Sequence, residues 1–307
     1  MTLPNILGKE FKCINKIISK LPSRGVGDDC AIIGSGAKKL VISTDSFVEN
    51  VHFSHKHFSL KEIGERCAEA AISDIAAMGA KPLYTLLSIS TLKIKNIEPI
   101  TAGIGLSLKR HRIVIIGGDT TAAEKTMINI TVIGTSSDPV KRSGAKKGDL
   151  VFITSYTGLS DAGLYALKNN IKGFSVLKAA HKKPKAKIKE GLAVSKIATS
   201  MIDISDGLAS ELHHIAHAST CSIKLCCIPI HKEIEKLAKL TKKDPLSFVI
   251  YGGEDYQLLY TTNKKNKNKA LGFCIGEVIE KDKTPLVSIK QGKHYIKLDP
   301  KKGYLHF

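Results

Sequence analysis

The sequence lacks any pair of cysteines in the C-x-x-C spacing, and its seven cysteines are an odd number. Paired C-x-x-C motifs indicate a structural zinc site, and an even number of cysteines at regular spacing indicates a disulfide framework. The cysteine pattern therefore argues against both kinds of stabilisation. Cys67 falls on the apolar face of a predicted helix, where we expect it to pack in the core.

Also lacking is any apolar run close to the roughly 18–20 residues that a transmembrane helix requires. The first ten residues do not combine a basic segment with a following apolar segment, as a secretory signal would. Hydrophobic residues make up 43% of the chain and the mean hydropathy is -0.02, values typical of a soluble globular protein with a sizeable core. We expect a cytoplasmic protein that binds no membrane.

Acidic residues are scarce relative to basic ones, since 28 Asp and Glu face 47 Lys and Arg, for a net charge of +19. Such an excess can indicate a nucleic acid, a membrane surface or anionic metabolites as partners. The densest basic runs, in 182–187 and 264–269, contain no interleaved aromatic residues and accompany no nucleic-acid-binding motif. We therefore predict a lysine-rich solvated surface and no nucleic-acid partner, with a basic scaffold for nucleic acid as an alternative.

The common nucleotide-binding motifs are missing as well: there is no G-x-x-x-x-G-K-[ST] and no kinase H-R-D or D-F-G set. What the sequence does contain is five short motifs in which an apolar run is followed by a small residue or two and a carboxylate. They are Gly27-Asp28-Asp29, Ser43-Thr44-Asp45, Gly117-Gly118-Asp119-Thr120, Asp203-Ile204-Ser205-Asp206-Gly207 and Gly252-Gly253-Glu254-Asp255. Any nucleotide site must therefore be of another type than the P-loop, built around such motifs.

The apolar runs 40–42 and 113–116 predict buried strands, and acids at strand ends lie where ligands usually bind. Carboxylates that converge on one cleft repel each other unless cations are present, and Mg²⁺ prefers oxygen ligands together with substrate phosphates. Asp74, beside Ile75 and Met78 on a predicted helix, would be costly there without a charged partner, which favours a ligand role. The pattern predicts a Mg²⁺-dependent enzyme that acts on phosphates. Its Gly117–Thr120 motif is a candidate phosphate cradle and Arg142 a candidate phosphate clamp.

Hydrophobic periodicity predicts the order of helices and strands. We expect helices over 1–24, 60–78, 98–110, 162–168 and 208–218, and strands over 40–44, 83–90, 113–116, 127–134, 150–154, 201–203, 248–251 and 257–261. Residues 171–190 are predicted to form a loop, and Ser205 or Asp206 to cap the helix over 208–218. The fold class is predicted as α/β, in α+β layers, with the boundary between two units inside 136–148.

Taken in order along the chain, these segments resemble the thiamine-monophosphate kinase family, within the superfamily of aminoimidazole ribonucleotide synthetase and selenophosphate synthetase. The most specific segments are Gly27-Asp28-Asp29-Cys30-Ala31, Ser43-Thr44-Asp45, Val51-His52-Phe53, Ser73-Asp74-Ile75-Ala76-Ala77-Met78-Gly79-Ala80, Gly117-Gly118-Asp119-Thr120, Arg142-Ser143-Gly144-Ala145, Asp203-Ile204-Ser205-Asp206-Gly207-Leu208 and Gly252-Gly253-Glu254-Asp255-Tyr256. The resemblance runs from about Gly25 to the last residues. It departs from the family at Lys187, where the family pattern Pro-x-Pro-Arg has an arginine, and lysine cannot reproduce the bidentate fork of arginine.

The resemblance implies that ATP phosphorylates thiamine monophosphate to thiamine diphosphate by direct in-line transfer, the last step of thiamine diphosphate biosynthesis. It implies a two-domain synthetase-like fold: residues 1–138 would bind ATP and Mg²⁺ and pair their sheet with that of a second subunit in a homodimer, and residues 139–307 would form an α/β domain that completes the active-site cleft. Several Mg²⁺ ions would be held by Asp29, Ser43, Thr44, Asp45, Asp74, Asp119, Asp203 and Asp206. ATP would meet Gly118, Asp119, Arg142 and Ser205, and the thiamine phosphate would meet His52, Glu254 and Tyr304.

No catalytic base is assigned, because the accepting phosphate oxygen is already ionised near neutral pH. The alternative within the superfamily is a sister ATP-dependent synthetase of the aminoimidazole ribonucleotide or selenophosphate type. The second of these would need a reactive cysteine in a glycine-rich N-terminal loop, whereas Cys13 lies in a helical pattern. A nucleic-acid scaffold would instead show salt-sensitive binding and no ATP turnover.

Overall fold

The computed structural model describes residues 9–23, 25–34, 36–281 and 284–304. They form two compact units. The N-terminal unit consists of Cys30–Pro139 together with Lys182–Ala193, and the C-terminal unit consists of the remaining described residues, including those up to Asp29. The functional division into 1–138 and 139–307 stays a prediction.

The N-terminal unit is built on one mixed sheet of five strands among the described residues. Its elements, after helix α1 (Lys9–Lys20) of the other unit, are β1 (Ala31–Ile33), β2 (Lys39–Val48), α2 (Leu60–Ala77), β3 (Lys81–Ser90), α3 (Ile97–His111), β4 (Val114–Thr121) and β5 (Met127–Ser136). The strand order is β1-β2-β5-β3-β4, with β3 and β4 parallel and the other neighbours antiparallel. The helix predicted over 1–24 is found at Lys9–Lys20, and its residues 1–8 and 24 lie outside the described residues.

Helix α2 begins where the sequence provides a complete capping box. The Ser59 hydroxyl accepts the N–H of Glu62 at 3.2 Å, and the Glu62 carboxylate accepts the N–H of Ser59 at 3.0 Å. Helix α3 crosses α2 at two glycines: a Cβ on Gly64 would overlap the carbonyl oxygen of Ile100, and one on Gly103 would overlap that of Lys61. The two helices therefore pack backbone against backbone, a distance that only glycine permits.

The prediction that the apolar run 113–116 is a buried strand was wrong about burial. Strand β4 is the last strand of the sheet, and Val114, Ile115 and Ile116 are 57%, 51% and 53% exposed. The run was also expected to stop before the Gly117–Thr120 motif, but the strand continues through it to Thr121. Burial of a strand depends on its place in the sheet, which the composition of one run does not reveal.

Within the part of the chain that the structure describes, the C-terminal unit is built on a seven-stranded sheet. Its elements and those of the connecting segment are β6 (Leu150–Ile153), α4 (Leu159–Lys168), α5 (Ser175–Lys182), α6 (Ile188–Val194), β7 (Ala198–Asp203), α7 (Leu208–Ser219), β8 (Cys221–Leu225), α8 (Lys232–Thr241), α9 (Pro245–Tyr251), β9 (Leu258–Thr262), β10 (Phe273–Lys281), β11 (Val287–Gln291) and β12 (His294–Lys297). The strand order is β12-β11-β8-β10-β6-β9-β7. Helix α7 covers the sheet through Leu208, Leu212 and Ile215, all fully buried.

Three local predictions in this part of the chain were wrong. Residues 248–251 form the end of helix α9, because Asp244 caps that helix through the N–H of Leu246 and Pro245 occupies its first turn. The 171–190 segment contains α5 and the start of α6 instead of one loop. Helix α7 begins after Gly207 without a side-chain cap, so neither Ser205 nor Asp206 caps it.

The mixed α/β class with two sheets is confirmed. Within the described residues, no helix is long and apolar enough to cross a membrane.

Candidate active site

Strand β2 carries three of the predicted metal ligands, Ser43, Thr44 and Asp45, in its middle. They were expected at the end of a strand. Instead β2 pairs with β5 without interruption from Lys39 to Val48, so the acid lies within the sheet. Ser43 is buried and Thr44 is exposed, as expected of neighbours that point to opposite faces.

A hydrogen bond joins this strand to helix α2, because the Ser43 hydroxyl donates to the carboxylate of Asp74. Two residues 31 positions apart, both predicted as ligands, are thus brought into contact. Burial raises the pKa of Asp45 to about 6, which means that the ionised form is poorly solvated. An added cation would stabilise that form, so this group of oxygens is suited to holding one.

The Gly117–Thr120 motif lies inside β4, and its role as a phosphate cradle stays a prediction. Gly118 is required there because a Cβ would overlap the carbonyl oxygen of Leu87 on the neighbouring strand. Asp119 is exposed, and its Oδ1 accepts the N–H of Thr120 at 2.8 Å. A cavity of about 370 Å³ lies beside the motif, with Leu87, Ile89 and Ile97 among its apolar lining and Gly118 and Asp119 at its polar side.

The sheet register places Asp45 and Gly118 in line across separate strands of one sheet, with Asp119 turned to the opposite face. Asp45 pairs with Ile130, Ile130 with Leu87, and Leu87 with Gly118. With neighbouring strands about 4.8 Å apart, three steps across the sheet separate the two motifs. The N-terminal unit therefore offers two distinct groups of predicted ligands, one on β2 and α2 and the other on the edge strand.

His52 sits in the turn after β2. Its Nδ1 accepts the N–H of Val48 at 3.0 Å, and its ring packs edge-on against Phe47 with 5.9 Å between centroids. An Nδ1 that accepts leaves the proton on Nε2 in the neutral ring. The sequence predicted a substrate contact here, and the geometry gives His52 a fixed ring with a donor nitrogen.

In the C-terminal unit the predicted residues Asp29 and Arg142 form an ion pair. Arg142 donates from Nη2 and Nε to Asp29 Oδ1 at 2.6 and 3.1 Å, and its main-chain N–H donates to Asp28 Oδ1 at 2.7 Å. Burial raises the pKa of Asp29, and the charge of Arg142 opposes that rise without cancelling it. Among the described residues, no hydrogen-bond partner lies near the buried Asp29 Oδ2.

Asp203 is the last residue of β7 and is only 3% exposed, so here the predicted position at a strand end is confirmed. One of its carboxylate oxygens lies within 4.8 Å of one on Asp29. The Arg142 charge compensates Asp29 only in part, since the pKa of Asp29 stays raised. A further cation would therefore stabilise the two buried carboxylates, and hard oxygen donors are the set that Mg²⁺ prefers. The residues of this unit therefore fit a bound Mg²⁺.

Glu211 is a residue that the sequence reasoning missed. It lies on α7, is 2% exposed, and accepts the N–H of Asp206 at 3.0 Å and the hydroxyl of Ser205 at 3.5 Å. Burial raises the pKa of Glu211 well above its usual range, and the charge of Asp206 adds to the rise. An acid on the apolar face that Leu208 and Leu212 define was the signal that could have revealed it.

Three predicted segments of this unit are joined by main-chain hydrogen bonds. The N–H of Glu254 donates to the carbonyl oxygen of Ser205 at 2.6 Å, and the N–H of Tyr304 donates to that of Asp206 at 3.2 Å. The segments that carry Ser205 and Asp206, Glu254, and Tyr304 therefore adjoin one another. A Cβ on Gly253 would overlap the Ser205 carbonyl oxygen, which explains why that loop needs glycine.

The chain is similar to a known family model and to known proteins. Residues 27–136 match the family model described as "AIR synthase related protein, N-terminal domain". The chain is 32% identical to the thiamine-monophosphate kinase of Aquifex aeolicus (strain VF5), over 97% of this chain and 98% of that protein. It is 34% identical to the thiamine-monophosphate kinase of Buchnera aphidicola subsp. Acyrthosiphon pisum (strain APS), with the same coverage of 97% and 98%.

Among solved structures, the chain resembles AaThiL complexed with AMPPCP and TMP, with a TM-score of 0.85 and 29% identity over 97% of this chain and 99% of that one. The similarity therefore extends over both units and not only over the segment that the family model matches. By sequence, fold and coverage together, this chain belongs to the thiamine-monophosphate kinase family.

Proposed function

We propose that this protein transfers the γ-phosphoryl group of ATP to the phosphate of thiamine monophosphate, giving thiamine diphosphate and ADP. The observation that carries the proposal is the 32–34% identity to thiamine-monophosphate kinases over nearly the full length of both chains. The similarity in fold to a complex with AMPPCP and TMP supports the same pair of substrates. The step would complete the biosynthesis of thiamine diphosphate.

Phosphoryl transfer requires positioning of the substrates and neutralisation of their charge more than it requires a proton acceptor. In phosphoryl transfer the protein holds the attacking and leaving oxygens in line and stabilises the charge on the transferred group. The attacking phosphate oxygen is ionised at neutral pH, so no residue is assigned as a base. Bound Mg²⁺ would neutralise the charges of the two phosphate chains as they approach each other.

The proposed Mg²⁺ ligands come from the groups of oxygens described above, on β2 and α2, on β4, and around Arg142. They are Asp29, Ser43, Thr44, Asp45, Asp74, Asp119, Asp203 and Asp206. The unsatisfied Oδ2 of Asp29 and the raised pKa of Asp45 are the observations that favour a cation at these positions.

For ATP we propose contacts with Gly118, Asp119, Arg142 and Ser205. Arg142 is held by Asp29 in the described geometry, which fixes the plane of a guanidinium that carries the positive charge an anionic ligand needs. For thiamine phosphate we propose contacts with His52, Glu254 and Tyr304. Glu254 is the negatively charged member of that set, and its charge complements the cationic ring of the substrate.

We also propose a homodimer in which β4 pairs with a second copy of the chain. Strand β4 is an edge strand with three exposed apolar residues in a row, and an uncovered edge of this kind is a template for further strand pairing. Tyr84 on the neighbouring strand β3 is 43% exposed and extends the apolar surface. A second copy would cover both.

The test is an assay with ATP and Mg²⁺, with and without thiamine monophosphate, in which the products are identified by mass. Formation of thiamine diphosphate that is lost in Asp45→Ala and Asp119→Ala supports the proposal, whereas Asp138→Ala, an exposed acid of the same unit outside the proposed site, serves as the control. ADP without thiamine diphosphate would overturn the substrate and favour a sister synthetase. No turnover with salt-sensitive nucleic-acid binding would favour the basic scaffold.

A further inference from the structure

The buried side chain of His181, which the sequence analysis did not identify, lies beside Glu254. His181, near the end of α5, is 3% exposed, and its Nδ1 lies 3.0 Å from the hydroxyl oxygen of Ser160 and 3.7 Å from Oε2 of Glu254. Ser160 is 1% exposed, whereas the side chain of Glu254 is 34% exposed. A buried imidazole thus touches the inner side of a carboxylate whose outer side faces solvent.

His181 is fixed in place by close packing of the helix beside it. A Cβ on Gly163 of α4 would overlap the carbonyl oxygen of Leu177 and lie 3.1 Å from Cβ of His181, so α4 and α5 are in direct backbone contact. The start of α4 is held in turn by Asp255, whose carboxylate accepts the N–H groups of Gly158 and, at 3.0 Å, Ser160. The imidazole therefore has little freedom to move away from Glu254.

The main chain of Glu254 is fixed as well. The residue adopts a left-handed backbone conformation, φ 64°, and its N–H donates to the Ser205 carbonyl at 2.6 Å. With the main chain held at Glu254, the remaining freedom is in the side-chain torsions. The position of the carboxylate is thus decided by the groups that surround it.

Two further acids and one histidine are among those groups in the described part of the chain. Burial raises the pKa of Asp161, and the charge of Glu254 adds to that rise. Asp255 is the next residue in the sequence and is buried. Burial raises the pKa of Asp255, and the charges of Asp161 and Glu254 add to that rise. Two acids repel an ionised Glu254 carboxylate, so a donor nitrogen on His181 would favour one orientation of that carboxylate.

We propose that His181 is a positioning residue that carries its proton on Nδ1, directed between the Ser160 hydroxyl and Glu254, and aims the Glu254 carboxylate at the nitrogen-containing, cationic part of the substrate. The inference rests on the proposed function, because it concerns the residue assigned to thiamine phosphate. The 3.7 Å separation is longer than a hydrogen bond, and such contacts commonly shorten when the substrate binds.

The first test separates the KM values for the two substrates. His181→Leu removes the donor and should raise KM for thiamine monophosphate about tenfold, the effect of losing one hydrogen bond to a charged group, with KM for ATP unchanged within about twofold. His181→Asn places an amide N–H near the position of Nδ1 and should restore most of the affinity, whereas His181→Gln, which reaches the Nε2 position, should not. Equal increases in both KM values would overturn the proposal.

The second test asks whether His181 acts through Glu254. Glu254→Gln should raise KM for thiamine monophosphate, and adding His181→Leu to it should raise KM no further, since residues that act as one unit are not additive. Independent, multiplying effects would contradict the proposal. His213→Leu is the matched control: His213 is also buried in this unit, with Nε2 3.0 Å from the carbonyl oxygen of Leu298, and should leave both KM values unchanged.

A third measurement needs no turnover and separates this inference from the proposed function. Nitrogen-15 NMR of the imidazole rings reports which nitrogen carries the proton. For His181 we expect the proton on Nδ1, and a proton on Nε2 would overturn the positioning role even in an active enzyme. A wild-type protein that makes no thiamine diphosphate would overturn the proposed function and, with it, the substrate that Glu254 is said to meet.

Discussion

The main-chain N–H of Glu254 donates a 2.6 Å hydrogen bond to the carbonyl oxygen of Ser205, and this bond connects a loop assigned to the phosphate acceptor with a loop assigned to ATP. A second bond, from the N–H of Tyr256 to the carbonyl oxygen of Ile204 at 2.9 Å, runs beside it. These two main-chain bonds fix the position of one loop against the other. Any change that separates the loops should therefore affect both substrates.

Gly253→Ala tests this connection, because the added Cβ would overlap the Ser205 carbonyl oxygen. We expect KM to rise for ATP and for thiamine monophosphate together, and the free energy of unfolding to fall by about 1–3 kcal/mol, the usual cost of forced overpacking. Steady-state kinetics and urea unfolding measure the two effects. The control is Gly105→Ala on α3, where a Cβ meets nothing within 4 Å, so that activity and stability should be kept.

The enzyme should tolerate loss of the charge on Glu211 but not loss of the side-chain oxygen that accepts the N–H of Asp206. Its carboxylate accepts the N–H of Asp206, and burial raises the pKa of Glu211 well above its usual range, so a neutral acceptor is suited to the position. We expect Glu211→Gln to keep kcat within a few-fold. Glu211→Ala, which leaves the Asp206 N–H without its acceptor, should lower kcat by about tenfold or more.

The comparison between Glu211→Gln and Glu211→Ala is made under saturating ATP and Mg²⁺, with folding checked by circular dichroism. A Gln variant as inactive as the Ala variant would show that the negative charge, and not the hydrogen bond, is what the loop requires.

The β4 edge should control the oligomeric state. Val114 is the most exposed of the three apolar residues in that strand, at 57%. If a second copy pairs there, Val114→Lys should shift the protein to a smaller species, because a lysine on an edge strand disfavours further pairing. Light scattering after size exclusion gives the mass. Leu240→Lys, on α8 and 63% exposed, is the control and should not change it.

Helices of this fold could be predicted from the sequence where a periodic apolar face follows a helix-capping motif. Helix α2 was predicted over 60–78 and found over Leu60–Ala77, because an unbroken apolar face follows the Ser59 and Glu62 capping pair. Helix α9 was mistaken for a strand, since Phe248–Tyr251 consists of residues that favour strands and its start signal, Asp244-Pro245, lies outside that run.

The candidate site was predictable in its residue types but not in its contacts. Asp203 was correctly placed at a strand end, whereas Asp45 lies mid-strand because β5 happens to pair along the whole of β2. The contact between Ser43 and Asp74 and the burial of His181 against Glu254 depend on how separate elements pack. Such long-range contacts have no local signature in a single sequence, so they had to come from the structure.

The last prediction concerns Glu69, a fully buried acid on α2 outside the proposed site. It pairs with Arg110, with His111 Nε2 at 3.0 Å, and with the N–H of Ala186 at 2.8 Å. Burial alone would raise the pKa of Glu69, but its hydrogen bond to His111 and the histidine charge outweigh this, so the pKa is lowered from its ordinary value of 4.5. The folded protein therefore favours ionised Glu69.

Because the pKa is lower in the folded state, ionised Glu69 stabilises the protein fully above pH 4.5, and that stabilisation is lost as the pH falls towards the folded-state pKa. Glu69→Gln should lower the free energy of unfolding by about 2–3 kcal/mol at neutral pH. This loss is at or below the lower end of the range for breaking a buried ion pair, because Arg110 is partly exposed. Urea unfolding of both proteins between pH 3 and 7 measures this. The two stabilities should converge towards the acid end, and a gap that stays constant with pH would mean that packing, not charge, is what Glu69 contributes.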